Sequence, residues 1–355
     1  KVFFADSTVG GRYSALTAFG LVPAALQGID ASKALDSAAS MMNDVDDALF
    51  LGAVMGAAAL NGRDKLMLIT DSAFNSFGAW AEQLIAESTG KEGKGIVPVD
   101  DETLLAPEKY GDDRYFIYLR GDGAHDDFVS QLKEANQPVL VIQTGDPYSL
   151  FKEFYRWEYA TAIACHILGV NAFDQPNVED AKTQARAQID AYSQTGVLDE
   201  GKAAWEGENG KIYTNADLAE ASLKSAFDAF LALGQENDYL SIHAYFPRNE
   251  QTSASLQKLR DFVQEKTGLA TTLGFGPRFL HSTGQLHKGG ANNGVFIQIT
   301  TNVETDIEIP TQGMSFGTLE RAQALGDYAA LLENGRRVLR VHLASIETLK
   351  ELSAK

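Results

Sequence analysis

Cysteine is almost absent: Cys165 stands alone among 355 residues, so no internal disulfide can form, which fits a reducing cytoplasm. It lies in the apolar run YATAIACHILGV, where a buried thiol is expected rather than a reactive one. Positive charge is scarce as well. Lys and Arg number 30 against 48 Asp and Glu, a net charge of -18. Nucleic acid needs the reverse, clustered cations on one face. An anionic substrate would need a local cationic pocket set against this overall field. The longest apolar run, ALFLGAVMGAAAL at 48–60, is too short to cross a bilayer, and no signal-peptide pattern opens the chain. A cytoplasmic protein with neither a membrane nor a nucleic-acid partner is expected.

Familiar chemical motifs are missing too. No Walker loop is present, and RGDGAHD and LGFGPR are Gly-rich without the G-x-G-x-x-G spacing of a dinucleotide site. Serine hydrolase chemistry is not expected. His281 and His287 stand six apart with no third ligand nearby, so no metal and no cofactor are expected. The chain begins with Lys1, and KVFFA reads as a strand entered midway, so a piece of a longer polypeptide is expected.

What is present is an ordinary globular composition, 45% apolar and 22% charged, in a chain long enough for two lobes. A helical lead-in over 1–60 opens with GGR and a helix whose N-terminus behind Gly10 and Gly11 suits an anion, with Arg12 beside it. From 61 to 235 apolar strands (KLMLIT, GIVPV, RYFIYL, PVLVIQ) alternate with a helix that opens at Phe77 and ends in a Ser-Thr-Gly break and with helices at 125–135 and 148–168. That alternation predicts a doubly wound parallel sheet covered on both faces. A further helix is expected with Pro176 at its first position and Asp174 or Gln175 near its cap. The polar stretch 195–215 reads as a mobile excursion, and a helix over 217–233 closes the domain. From 236 to 355 further alternating β-α units, built on DYLSIHAYF, VFIQITT and RVLRVHL, suggest a second, smaller α/β lobe with a loop-rich 272–294 segment.

Within this frame the stretch 77–98, FGAWAEQLIAESTGKEGKGIVP, carries most of the chemistry. Gln83 and Glu87 are four apart and share a helix face. Glu87 falls in the last turn, where a carboxylate opposes the helix dipole, a placement that costs stability and suits a base. The spacing equally suits a solvated glutamate near a C-cap. Gln175 and Lys182 are seven apart, two turns along one face. Taken singly, Arg12, Gln175, Lys182 and His281 each have an ordinary structural use as ion-pair partner, cap, solvated helix residue and packed loop histidine.

Four blocks change that balance: GGRYSALTAFGLVPAAL, AEQLIAESTGKEGKGIVPV, ATAIACHILGVNAFDQPNVEDAK and GFGPRFLHSTGQLHKGGANNG. In this order they resemble the glucose-6-phosphate isomerase family, and most narrowly the isomerase part of bifunctional transaldolase/glucose-6-phosphate isomerases. The resemblance implies paired sugar-isomerase (SIS) subdomains that interconvert glucose 6-phosphate and fructose 6-phosphate through a cis-enediol without metal or nucleotide. It makes Glu87 the proton shuttle, Gln83 its neighbour, and Arg12 the cation that steadies base and enediolate. It places Lys182, with Gln175, at the ring oxygen and substrate hydroxyls. His281 or His287 becomes the ring-opening histidine, since His125 lies in an acidic context. The family's first SIS subdomain, which grips the phosphate and precedes GGR, has no counterpart before Gly10, so impaired phosphate binding by this chain alone is expected. A homodimer is implied for the full-length protein. A non-catalytic sugar-phosphate-binding SIS module is the alternative, and selectivity for glucose over mannose phosphates is left open.

Overall fold

The computed structural model describes residues 2–218, 222–303 and 305–354. The chain forms two compact units, Lys1–Gln175 and Pro176–Lys355.

The first unit opens with a 3₁₀ turn, Gly11–Tyr13, and helices α1 (Ala18–Leu26), α2 (Ala31–Ser40) and α3 (Val45–Leu60). Asp30 caps α2 by accepting from the amides of Ser32 and Lys33. There follow β1 (Lys65–Thr70), α4 (Phe77–Thr89), β2 (Val97–Val99), β3 (Arg114–Arg120), α5 (Asp126–Glu134), β4 (Val139–Gln143) and α6 (Ser149–Leu168). The strands pair in parallel in the order β2-β1-β3-β4. KLMLIT is a continuous apolar run because the sheet has no wet face: Leu66 and Leu68 join one core cluster with α4 and α6, and Met67 and Ile69 are buried as well. α3 lies close on α6 through two glycines. A Cβ on Gly52 would meet the Ala160 carbonyl oxygen at 2.5 Å, and one on Gly56 would meet Ile167 Cβ at 2.8 Å.

The second unit runs α7 (Val178–Thr195), β5 (Trp205–Gly207), β6 (Gly210–Thr214), α8 (Leu223–Leu231), β7 (Tyr239–Tyr245), α9 (Glu250–Thr267), β8 (Ala270–Phe275), α10 (Gly284–Gly289), β9 (Gly294–Thr301), α11 (Phe316–Glu333), β10 (Arg337–Leu343) and α12 (Leu349–Leu352). Its sheet order is β5-β6-β10-β9-β7-β8, parallel except at β5 and β6. The parallel strands repeat the 2-1-3-4 order of the first unit. One face of this sheet is apolar, with Leu240, Ile242, Ile297 and Val341 packed on α8, α9 and α12. Residues alternating with them include Ser241, His243, Gln298 and Arg340, all fully buried.

Five expectations change. The polar stretch 195–215 contains the β5–β6 hairpin, turning at Glu208 and Asn209, because Lys211–Thr214 finds a partner strand in β10. That pairing, and α7 packing on α11, carry residues 176–235 into the second unit instead of the first. The close approach is set by Gly326, where a Cβ would lie 2.6 Å from Ala185 N. The 272–294 segment holds most of β8 and all of α10, while α7 starts at Val178, two residues after Pro176. The helix read over 217–233 is observed at Leu223–Leu231, with residues 219–221 outside the described ones. No described helix is long and apolar enough to cross a membrane.

Candidate active site

The 77–98 stretch folds as a helix, a tight loop and a strand. Thr89 Oγ1 donates to the Ile85 carbonyl at 2.8 Å and accepts from Ile96 N at 3.0 Å, closing the loop on its own helix. Gly93 takes φ +74° within it, a left-handed conformation that glycine adopts without strain. Lys91 is buried and ties this loop to the 171–174 segment: its Nζ donates to Asn171 O at 2.6 Å and to Asp174 Oδ1 at 2.8 Å. Lys94 donates to the Leu168 carbonyl, at the end of α6, at 2.7 Å. The two lysines thus hold a loop in place and satisfy helix-end and loop carbonyls.

Glu87 lies in the last turn of α4, its side chain 12% exposed. Oε1 is 3.2 Å from Arg12 Nη1, and Oε2 accepts from Gln83 Nε2 at 3.2 Å. Both oxygens are therefore oriented, and the carboxylate still reaches solvent. Arg12 is buried on the 3₁₀ turn, since α1 begins only at Ala18 after the Thr17 cap. Its Nε donates to Ser88 Oγ at 2.9 Å and its Nη1 to Gln175 Oε1 at 2.9 Å. Its Nη2 donates to the carbonyls of Ala172 and Asp174 at 2.8 and 3.0 Å. With the Glu87 ion pair, all five N–H directions of the guanidinium face an acceptor. No donor is left for a substrate oxygen, so in this geometry Arg12 positions and charge-balances the base. Arg12, Gln83, Glu87 and Gln175, drawn from three separated sequence blocks, form one hydrogen-bonded group.

The other sequence candidates sit in the second unit. Lys182, on α7, pairs with Glu179 at 2.7 Å with its side chain 42% exposed. His281 ends a 3₁₀ turn and is exposed. His287 is buried on α10, its ring 4.6 Å from that of His243 and 5.1 Å from that of Phe296. Burial, and the nearby His243, hold its pKa well below the ordinary histidine value. A neutral imidazole enclosed by aromatic rings cannot reach a sugar in this conformation, so of the two candidates only His281 is accessible.

Sequence reasoning missed Ser88, Lys91, Asp174, Tyr13 and Glu158. Lys91 was in plain view within ESTGK. The remainder are common residue types whose use depends on long-range contacts. Tyr13 OH pairs with Ser88 Oγ at 3.0 Å, and burial pushes its pKa to about 12. Cys165 is buried with its thiol pushed up to about 12 by burial, and Sγ lies 3.4 Å from the Ser88 carbonyl oxygen. It is unreactive in this setting.

Glu158 sits two turns before Cys165 on α6, and its Oε1 is buried with no hydrogen-bond partner. Burial alone pushes its carboxyl to about 7. A carboxyl raised in the fold favours folding below its unfolded value near 4.5 and loses that contribution as pH rises through 7. Glu158→Gln should therefore be more stable than the parent by about 2 kcal/mol at pH 8 and equal to it near pH 4.5. Urea unfolding at the two pH values checks this; an equal difference at both would show that charge is not the cause.

No family model matches the chain. Curated relatives do. Glucose-6-phosphate isomerase of Leptospira biflexa is 27% identical over 236 residues, covering 53% of this chain and 52% of the relative. That of Listeria monocytogenes is 30% identical over 242 residues, covering 53% of each. The probable glucose-6-phosphate isomerase of Methanococcus maripaludis is 30% identical over 223 residues, covering 51% of each. The chain spans about half the length of these relatives. Among solved structures, a hypothetical protein from Thermus thermophilus aligns over 99% of this chain and 92% of its own at 14% identity, with a TM-score of 0.32. The C-terminal domain of glucosamine-fructose-6-phosphate aminotransferase from Francisella tularensis gives a TM-score of 0.24 at 10% identity, covering 90% of this chain and 94% of that domain. Neither score carries an argument.

Proposed function

We propose that the chain carries the proton-transfer centre of an aldose–ketose isomerase acting on glucose 6-phosphate and fructose 6-phosphate. The observation that carries this reading is the partly exposed Glu87 carboxylate, oriented on one side by Arg12 at 3.2 Å and on the other by Gln83 at 3.2 Å. The names of the curated relatives support it. In the forward direction Glu87 takes the proton from C2 of the open-chain aldose as the carbonyl oxygen at C1 acquires a proton. The resulting cis-enediol receives the proton back at C1, while the C2 hydroxyl gives up its own and becomes the ketone. A carboxylate within reach of both carbons serves both transfers. Arg12 aims the base and balances its charge. Since its donors are spent, the charge developing on the enediolate needs other cations, and one such contact lowers the barrier by about 3 kcal/mol. The roles of Lys182 and His281 at the ring oxygen and hydroxyls, the dimer and the transaldolase partner domain rest on the resemblance and belong to the same proposal.

The test is solvent exchange. With fructose 6-phosphate in deuterium oxide, the intact protein should place deuterium at C2 of the glucose 6-phosphate formed, and at C1 of recovered substrate. Turnover with no solvent deuterium in either sugar would exclude an exchanging carboxylate base, and absence of turnover would exclude the reading.

A further inference from the structure

The two units share one strand order, so each has a switch point where crossovers from neighbouring strands depart in opposite directions: β1/β3 in the first, β7/β9 in the second. Open α/β sheets bind ligands in the crevice outside the strands' carboxyl ends at such points. In the first unit the place is filled by Asp71. Its Oδ2 accepts from the amides of Gly121 and Gly123 at 2.8 and 2.7 Å, and its Oδ1 accepts from Tyr118 OH at 2.8 Å. In the second unit the strand ends at Tyr245 and Thr301 open into a cavity of about 760 Å³, the size of a small-molecule site.

Its walls are rich in donors that the fold leaves unused. Gln251 and Lys258 come from α9, and Thr301 and Asn302 from the end of β9. None of these four side chains has a hydrogen bond or ion pair to another described residue. The first turn of α9, an 18-residue helix, also faces the cavity, adding its positive dipole end. Lys350 stands on the α12 side. Two carboxylates line the same space. Glu347 interacts with Ser345 and Lys350, and the Glu320 carboxyl is raised by burial and by Asp306. Amide and ammonium donors suit phosphate oxygens, whereas carboxylates accept from ligand hydroxyls.

We propose that the β7/β9 crevice of the second unit is a separate ligand site, and that it takes a small phosphorylated polyol. Lys258 and Lys350 meet the phosphate, Asn302 and Thr301 bridge to the chain, and Glu320 and Glu347 accept from hydroxyls. The site lies wholly within one unit and does not use Glu87, so its failure leaves the isomerase reading standing.

Glycerol 3-phosphate, inorganic phosphate and glycerol serve as probes, each titrated into the whole chain to about 10 mM, a range that detects weak millimolar binding. Backbone amide NMR reports the response. The expected result is saturable shifts at Gln251, Thr301 and Asn302 with glycerol 3-phosphate, weaker ones with phosphate, and none with glycerol. The double variant Lys258→Ala/Lys350→Ala, altering exposed side chains only, should keep its unfolding temperature and bind at least tenfold more weakly. Glu87→Gln should bind as the parent does. Absence of shifts at those amides, equal shifts with all three probes, or unchanged affinity in the double variant would each overturn the proposal.

Discussion

Glu87→Gln in the intact protein should lower kcat for fructose 6-phosphate conversion by at least about 1000-fold while leaving KM within a few-fold. The amide matches the carboxylate in size and can keep its contacts. Its oxygen can accept from Arg12, and a flipped Gln83 amide can present its own oxygen to the new NH2. The loss is thus confined to basicity, which an amide lacks altogether. Stability should change little, because a partly exposed ion pair 3.2 Å long is exchanged for a charged–neutral hydrogen bond worth about 1 kcal/mol less. Turnover measured beside the unfolding temperature checks both halves. A variant that unfolds like the parent and retains a tenth or more of its turnover would remove Glu87 from the mechanism. Arg12→Lys makes a useful companion. An ammonium cannot reproduce five directed contacts, so a smaller loss of kcat accompanied by a lower unfolding temperature is expected.

How much of this was legible beforehand follows from the range of each interaction. KLMLIT and RVLRVHL read as strands and are strands residue for residue: the first is a short apolar run suited to a sheet buried on both faces, and the second sets Leu339, Val341 and Leu343 on the apolar face of its sheet. The Gln83–Glu87 hydrogen bond was legible for the same local reason, helical geometry at i and i+4. The β5–β6 hairpin was not, since Lys211–Thr214 becomes a strand only by pairing with β10, more than a hundred residues later. Arg12 was placed at a helix start and turned out to be a buried clamp whose acceptors lie 76 to 163 residues away. His281 and His287 look alike in sequence. Only the packing of Phe279 and Phe296 around His287 separates an exposed imidazole from an enclosed one.

The same packing sets up a large stability effect. On the polar face of the second sheet, Asp327 of α11 is fully buried 2.8 Å from Lys288 Nζ and 3.6 Å from His243 Nδ1. His243 Nε2 is 3.0 Å from Ser241 Oγ, which accepts from Thr272 Oγ1 at 2.8 Å. Burial would raise the Asp327 carboxyl, yet the Lys288 ammonium and His243 imidazole together hold it below the ordinary value. Asp327→Asn leaves a buried ammonium with no counter-charge, which should cost about 4 kcal/mol and lower the unfolding temperature by roughly 10 °C. Lys288→Met alone should cost a similar amount by stranding the carboxylate. The double change to Asn and Met should recover much of the loss, because both uncompensated charges are gone. The pH dependence has a definite sign. His243 and His287 are held neutral by burial, so below about pH 6.5 the unfolded chain takes up protons that the fold refuses. Asp327 adds to the loss only below about pH 4, where the unfolded chain protonates first. The two histidines therefore make stability fall from pH 7 to pH 5, opposed over the same range by the raised Glu158 carboxyl, and His287→Phe should remove part of the fall. Additive losses in the double variant would mean that Asp327 and Lys288 do not act on one another through charge, and an unchanged pH slope in His287→Phe would remove His287 from the pH dependence.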